Sequence, residues 1–130
     1  MSAPERDPRE WLLRAQNDLL NIDNNLRSTN IPWDTMVFHA QQVCEKLLKA
    51  LIVQKGSVPP RARDLVLLLN MCPEVSARDN ALVPEMDKLM LLFGSRYPDT
   101  KWPSEVEGRS SIAIAFKLAG IIVPMIKMNP

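Results

Sequence analysis

Four polar side chains in the middle of the chain, His39, Gln42, Lys46 and Lys49, follow one another at intervals of three, four and three residues. That spacing puts them on one helix face, where together they could meet an anion. His39 is the only histidine, and imidazole has the unperturbed pKa, about 6.5, best suited to proton transfer near neutrality. The simpler alternative is a solvated face on which Glu45 and Lys49 form an i,i+4 ion pair. A second set, Arg96, Tyr97 and Asp99, brackets Pro98 in a stretch of loop composition. Arg96 could clamp a phosphate through two parallel hydrogen bonds, and Tyr97 could stack on a base. Equally, Arg96 could pair with Asp99 and do no more than fix the loop.

Other chemistries lack their residues. No Gly-rich phosphate loop, Ser-His-Asp order or paired-carboxylate signature is present. No two candidate ligands have a recognisable metal spacing, so neither metal nor cofactor is expected. Cys44 and Cys72 lie in apolar surroundings and read as reduced core residues of a cytoplasmic protein. Sixteen basic and fifteen acidic residues give a net charge of +1, which carries no general electrostatic footprint for nucleic acid or an acidic membrane. Arg61, Arg63, Arg78 and Arg109 are scattered and could gather into a patch only in three dimensions. The N-terminus from Ser2 to Glu10 is polar, unlike a signal peptide. Apolar runs fall far short of the roughly 20 residues a membrane span needs, so a soluble protein is expected.

The elements that must position these side chains are helices. The 130 residues suit a single domain, with a core from about residue 8 to 128. Aromatics are 5% of the chain, and only four glycines are available for turns needing positive φ; Leu, Ile, Val, Ala and Met carry the apolar content. Asp7-Pro8-Arg9-Glu10 opens a first helix with a cap, a proline at its first position and a reciprocal Glu. Its apolar residues Trp11, Leu12, Ala15, Leu19, Ile22 and Leu26 fall within a ~100° arc, and it ends near Asn30, ahead of Pro32. A second helix runs from about Asp34 to Lys55, with Gly56 as its stop. Asp64 opens a short helix that Cys72-Pro73 closes. Pro84 begins the main part of a further helix reaching Phe93, and Ser104-x-x-Glu107 is a capping box for a last helix to about Met128, kinked by Pro124. The result is an all-α, up-and-down bundle of four long helices plus one short one.

Two helices carry a second apolar strip. On the second, Phe38 and Ile52 sit amid the polar half of the wheel; on the last, Ile114 and Ile121 lie opposite a core arc that includes Ile112, Ala115, Phe116 and Ala119. An apolar ring bordered by charge suggests a partner surface, most simply a second copy of the chain. The competing reading folds the short helix and its Pro-rich loop back over Phe38 and Ile52.

The segment from Phe38 to Leu51, FHAQQVCEKLLKAL, closely resembles the second-helix signature of HEPN domains (higher eukaryotes and prokaryotes nucleotide-binding). Ala15-x-x-Asp18-Leu19 is similar to that family's first helix, and Asp64-Leu65 and Arg96-Tyr97-Pro98-Asp99 to its third-helix start and late loop. The resemblance spans about residues 10 to 127. It implies a small helical bundle, usually a homodimer, often encoded beside a minimal nucleotidyltransferase and sometimes forming a toxin–antitoxin pair. Active relatives cut RNA with an Arg followed, after four to six residues, by a His at the dimer seam. Here the matching Arg would have to stand at Pro32, Trp33 or Asp34, and Arg63 stands where relatives often have a His. The resemblance thus implies a non-catalytic module binding a nucleotide, RNA or a nucleotidyltransferase. A divergent ribonuclease or a structural dimer scaffold are the alternatives.

Overall fold

Capping chemistry sets most of the helix boundaries in the computed structural model, which describes residues 4–93 and 102–127, apart from the Phe93 side chain. Asp7 is extended and its carboxylate accepts from the Arg9 amide at 3.0 Å, so α1 (Pro8–Leu26) starts with Pro8 at its first position. The helix stops short of Asn30 because the Ser28 hydroxyl donates to the Asn30 carbonyl, offering the backbone a turn instead. Helix α2 (Trp33–Gln54) ends in a Schellman motif: the Ser57 amide bonds to Ile52 O, the Gly56 amide to Val53 O, and Gly56 has φ of 88°. Asp64 caps α3 (Leu65–Asn70) by accepting from the Leu67 amide at 3.0 Å. A single turn, α4 (Pro73–Ser76), leads to α5 (Leu82–Phe93).

Ser104 and Glu107 form the full reciprocal capping box of α6 (Glu105–Ile122), at 3.1 and 2.9 Å. Pro124 then converts the chain to a 3-10 turn, Val123–Met125, and α6 ends at Ile122 rather than near Met128. Proline lacks the amide the helix needs, and its ring crowds the carbonyl four residues back. Gln54 anchors this turn, donating to Met125 O and accepting from the Lys127 amide, both at 2.6 Å. No strand occurs among the described residues.

Helix α2 is the axis of the bundle. Helices α1 and α6 make the broadest contacts with it, and α3 and α5 pack on it and on each other. Consequently 13 of its 22 residues are buried, far more than one apolar stripe would cover. Ile52 is one of them, 1% exposed within the core with Leu47, Leu48 and Leu68. The expectation of a surface strip at Ile52 is therefore corrected: the polar half of α2 is itself covered.

Helix α6 needs the same correction. Ile114 is buried at 5% exposure and Ile121 is half-buried against the core, whereas Phe116, assigned to the core arc, is 43% exposed. The outward strip is instead Val106, Ala113, Phe116 and Gly120. The side holding Ile114 turns inward beside Lys117, whose amine reaches Asp79 at 2.9 Å and Glu85 at 2.6 Å, tying α6 to the start of α5. At the other end of α6, a Cβ on Gly108 would stand 2.5 Å from Trp33 Cε3, so glycine is what lets the indole lie flat on this helix. The Arg109 guanidinium sits 4.9 Å from the same ring's centroid.

The Lys117 hydrogen bond, followed by the Ala81 amide, holds the Asp79 carboxyl below its ordinary value of 3.8. The bonds it donates to Glu85 and then Asp79 hold the Lys117 amine above 10.5. Asp79 thus stabilises the fold fully above pH 3.8, and that contribution is lost as pH falls through its lower folded value. The Lys117 contribution is complete below 10.5 and lost as pH rises through the raised one. Thermal melts from pH 6 to pH 2 should show the melting temperature falling in acid, and Lys117→Met should flatten that fall. An identical slope in the variant would exclude the Asp79–Lys117 bond as its source.

Candidate functional site

Asp18 organises the polar seam between α1 and α2. It lies about 20° outside the apolar arc of α1 at 100° per residue, which turns its carboxylate toward α2 rather than into the core. His39 Nδ1 donates to Asp18 Oδ1 at 2.8 Å, and Lys46 Nζ donates to Asp18 Oδ2. The two donors are seven residues apart on α2, two helical turns, so one carboxylate bridges both. The Asp18 side chain is 7% exposed, less than either partner. A buried carboxylate needs such donors, since unpaired it would carry a large desolvation cost. Phe38 closes the cluster, its ring meeting His39 edge-on at 5.5 Å between centroids.

One turn further along, Lys49 Nζ donates to Glu45 at 3.0 Å and lies 5.4 Å from the Trp11 ring centroid. The i,i+4 pair foreseen for a solvated face exists, but both residues are buried, Lys49 beside Trp11 of α1. Gln42 is half-buried and, with Glu45, Arg63 and Leu65, borders a small cleft of about 230 Å³. Its neighbour Gln41 is buried and donates to the Leu89 carbonyl, joining α2 to α5. His39, Gln42, Lys46 and Lys49 do share one face, yet that face is spent largely on holding helices together. Arg96, Tyr97 and Asp99 lie outside the described residues.

What remains for chemistry at the Asp18 cluster is His39 Nε2. A histidine whose Nδ1–H is held by a carboxylate has its second nitrogen oriented for proton transfer. No arginine joins this cluster in the contacts of the described residues, and no hydroxyl or thiol nucleophile does either. Burial pushes the Cys44 thiol far above its usual range and the Cys72 thiol up to about 11, so both stay protonated at neutral pH. No group of three or more His, Cys, Asp or Glu suited to a metal occurs among the described residues.

A larger cleft of about 780 Å³ opens beyond Trp11, between the start of α1 and the loop after α2. Arg6, Arg14 and Arg61 border it together with Glu5 and Glu10, and the half-buried Pro59 and Pro60 form part of its wall. The Trp11 indole donates to Glu5 O at 2.8 Å and so fixes the 3-10 turn Pro4–Arg6 against α1. Sequence reasoning missed this cleft, because three separate segments build it. It passed over the role of Asp18 too, although a carboxylate at the rim of an apolar arc was a usable signal.

No helix of the described residues is long and apolar enough to cross a membrane. Comparison with curated proteins and with solved structures finds no match. The sequence model of the HEPN domain matches residues 8–125, nearly the whole chain and every helix from α1 to α6. With the all-α bundle, the α2 segment and that coverage in agreement, the chain belongs to the HEPN domain family.

Proposed function

We propose that the chain is a non-catalytic, dimeric HEPN module that binds a nucleotide or a partner such as a minimal nucleotidyltransferase, in a toxin–antitoxin-like pair. The observation that carries this reading is that no arginine accompanies the sole histidine: among the described contacts His39 meets Asp18, whose carboxylate Lys46 shares. The sequence has no Arg separated from His39 by four to six residues, since those positions hold Pro32, Trp33 and Asp34. Val106 at 78% exposure near the start of α6, and Phe116 at 43% further along it, leave apolar surface on which association could build. Phe38 and Ile121, both half-buried, keep some outward area for a seam, while Ile52 and Ile114 have almost none.

The test is incubation of purified protein with a mixed-sequence RNA, comparing wild type, His39→Ala and Arg96→Ala. All three should leave the RNA at the buffer-only rate. General acid–base assistance is typically worth about 10²–10⁴-fold, so cutting by a working histidine would be unmistakable. Robust cleavage lost on either substitution would replace this reading with the second one, a divergent ribonuclease. The Asp18–His39 bond favours that alternative, because it would orient His39 Nε2 as a base. Light scattering on the same preparation reads the dimer, and co-purification of native neighbours reads the partner. A monomer that retains no neighbour would remove both parts of the proposal.

A further inference from the structure

We infer that the cleft between the start of α1 and the loop after α2 is a site for a sugar phosphate group, its arginines taking the phosphate and its carboxylates the hydroxyls. This rests on the binding-module reading and gives that module a ligand class and a place.

The volume, about 780 Å³, is in the range of about 300–1,000 Å³ typical of small-molecule sites. Arg6, Arg14 and Arg61, all exposed, come from the 3-10 turn, α1 and the loop after α2 and border one cleft, with Arg61 joined to the other two only by the tertiary fold. None of the three is in an ion pair among the described residues. Arg14 is the telling case. Glu10 precedes it by four residues, the spacing at which an acidic and a basic side chain pair on a helix, and the two still stay apart. Unpaired guanidinium groups bordering one concavity offer the forked donor geometry that phosphate oxygens accept.

Lys49 also borders the cleft, but Glu45 already balances its charge at 3.0 Å. Three arginines against Glu5 and Glu10 therefore leave a modest positive excess. A site for bare phosphate gains nothing from two carboxylates. A ligand carrying hydroxyls beside its phosphate uses both kinds of group, because carboxylates accept from O–H while arginines can only donate. The walls are pre-organised: Trp11 is pinned by its bond to Glu5 O, and Pro59 and Pro60 have fixed φ.

Calorimetric titration of the full chain with ribose 5-phosphate, AMP and inorganic phosphate tests the assignment. Ribose 5-phosphate should bind, and inorganic phosphate should bind at least about 10-fold more weakly, as expected when charge-assisted hydrogen bonds are lost. Arg14→Gln and Arg61→Gln should each weaken ribose 5-phosphate by about 10-fold or more, while Arg78→Gln, outside the cleft, leaves it unchanged. Glu10→Gln should narrow the gap between ribose 5-phosphate and inorganic phosphate. AMP binding at or above the affinity of ribose 5-phosphate would identify a nucleotide as the source of the group; weaker AMP binding would identify a free sugar phosphate. No heat with any of the three, equal affinity for inorganic phosphate, or indifference to both arginine variants overturns the assignment. RNA cleavage in the preceding test would instead overturn the non-catalytic module and leave these titrations standing.

Discussion

Ile52→Asp is expected to unfold the chain, not to separate a folded dimer into folded monomers. Ile52 is 1% exposed within the core. Removing its side chain forfeits about 1.5–3 kcal/mol of burial. A carboxyl left in that place without a partner adds roughly 1–3 kcal/mol even after it takes up a proton. The sum, about 2.5–6 kcal/mol, removes a large share of the roughly 5–15 kcal/mol that stabilises a small domain. Circular dichroism should show the helical signal lost or its melt displaced to far lower temperature, and Ile52→Val should cost about 0.5–1.5 kcal/mol. A folded, monomeric Ile52→Asp protein would return this residue to the seam and refute its place in the core.

Asp18→Ala should be the most damaging change to a polar side chain. It removes the acceptor of both His39 and Lys46, two charge-assisted bonds in a seam where the carboxylate is almost fully buried. Breaking a fully buried pair costs about 3–5 kcal/mol, and the partial exposure of His39 and Lys46 moderates this to about 2–4 kcal/mol. At about 3–5 °C per kcal/mol for a chain of this length, the melting temperature should fall by about 10 °C. Pairing Asp18→Ala with Lys46→Met should cost less than the two singly, since both act on one interaction. By contrast Glu105→Ala, which breaks the exposed Arg109–Glu105 pair, should change stability by under about 0.5 kcal/mol. An Asp18→Ala loss as small as that would mean the cluster does not hold α1 to α2. Its outcome also bears on function: a protein that folds well without Asp18 frees His39 for some other task.

Local chemistry was legible in the sequence wherever neighbours in the chain decide the matter. Asp7, Asp64 and Ser104 announce helix starts because the amides they cap are two or three residues away. Gly56 announces a stop because a left-handed φ is cheap only there. Periodicity gave the arc of α1 and the helical class of the whole, and the FHAQQVCEKLLKAL segment pointed to the HEPN family. Those features depend on contacts within a turn or two.

Tertiary structure decided which side of each long helix faces the interior. A wheel drawn for α2 assumes one covered stripe, and α2 is covered by α1, α6 and the α3–α5 pair. Its polar half therefore became a seam, with Asp18 supplying charge to His39 and Lys46 from another helix. On α6, Gly108 against Trp33 and Lys117 between Asp79 and Glu85 turn Ile114 inward and leave Phe116 outside. The cleft of Arg6, Arg14 and Arg61 likewise joins segments up to 55 positions apart in sequence. Burial is a property of what packs on a face, and a single helix's sequence records the face without recording its neighbours.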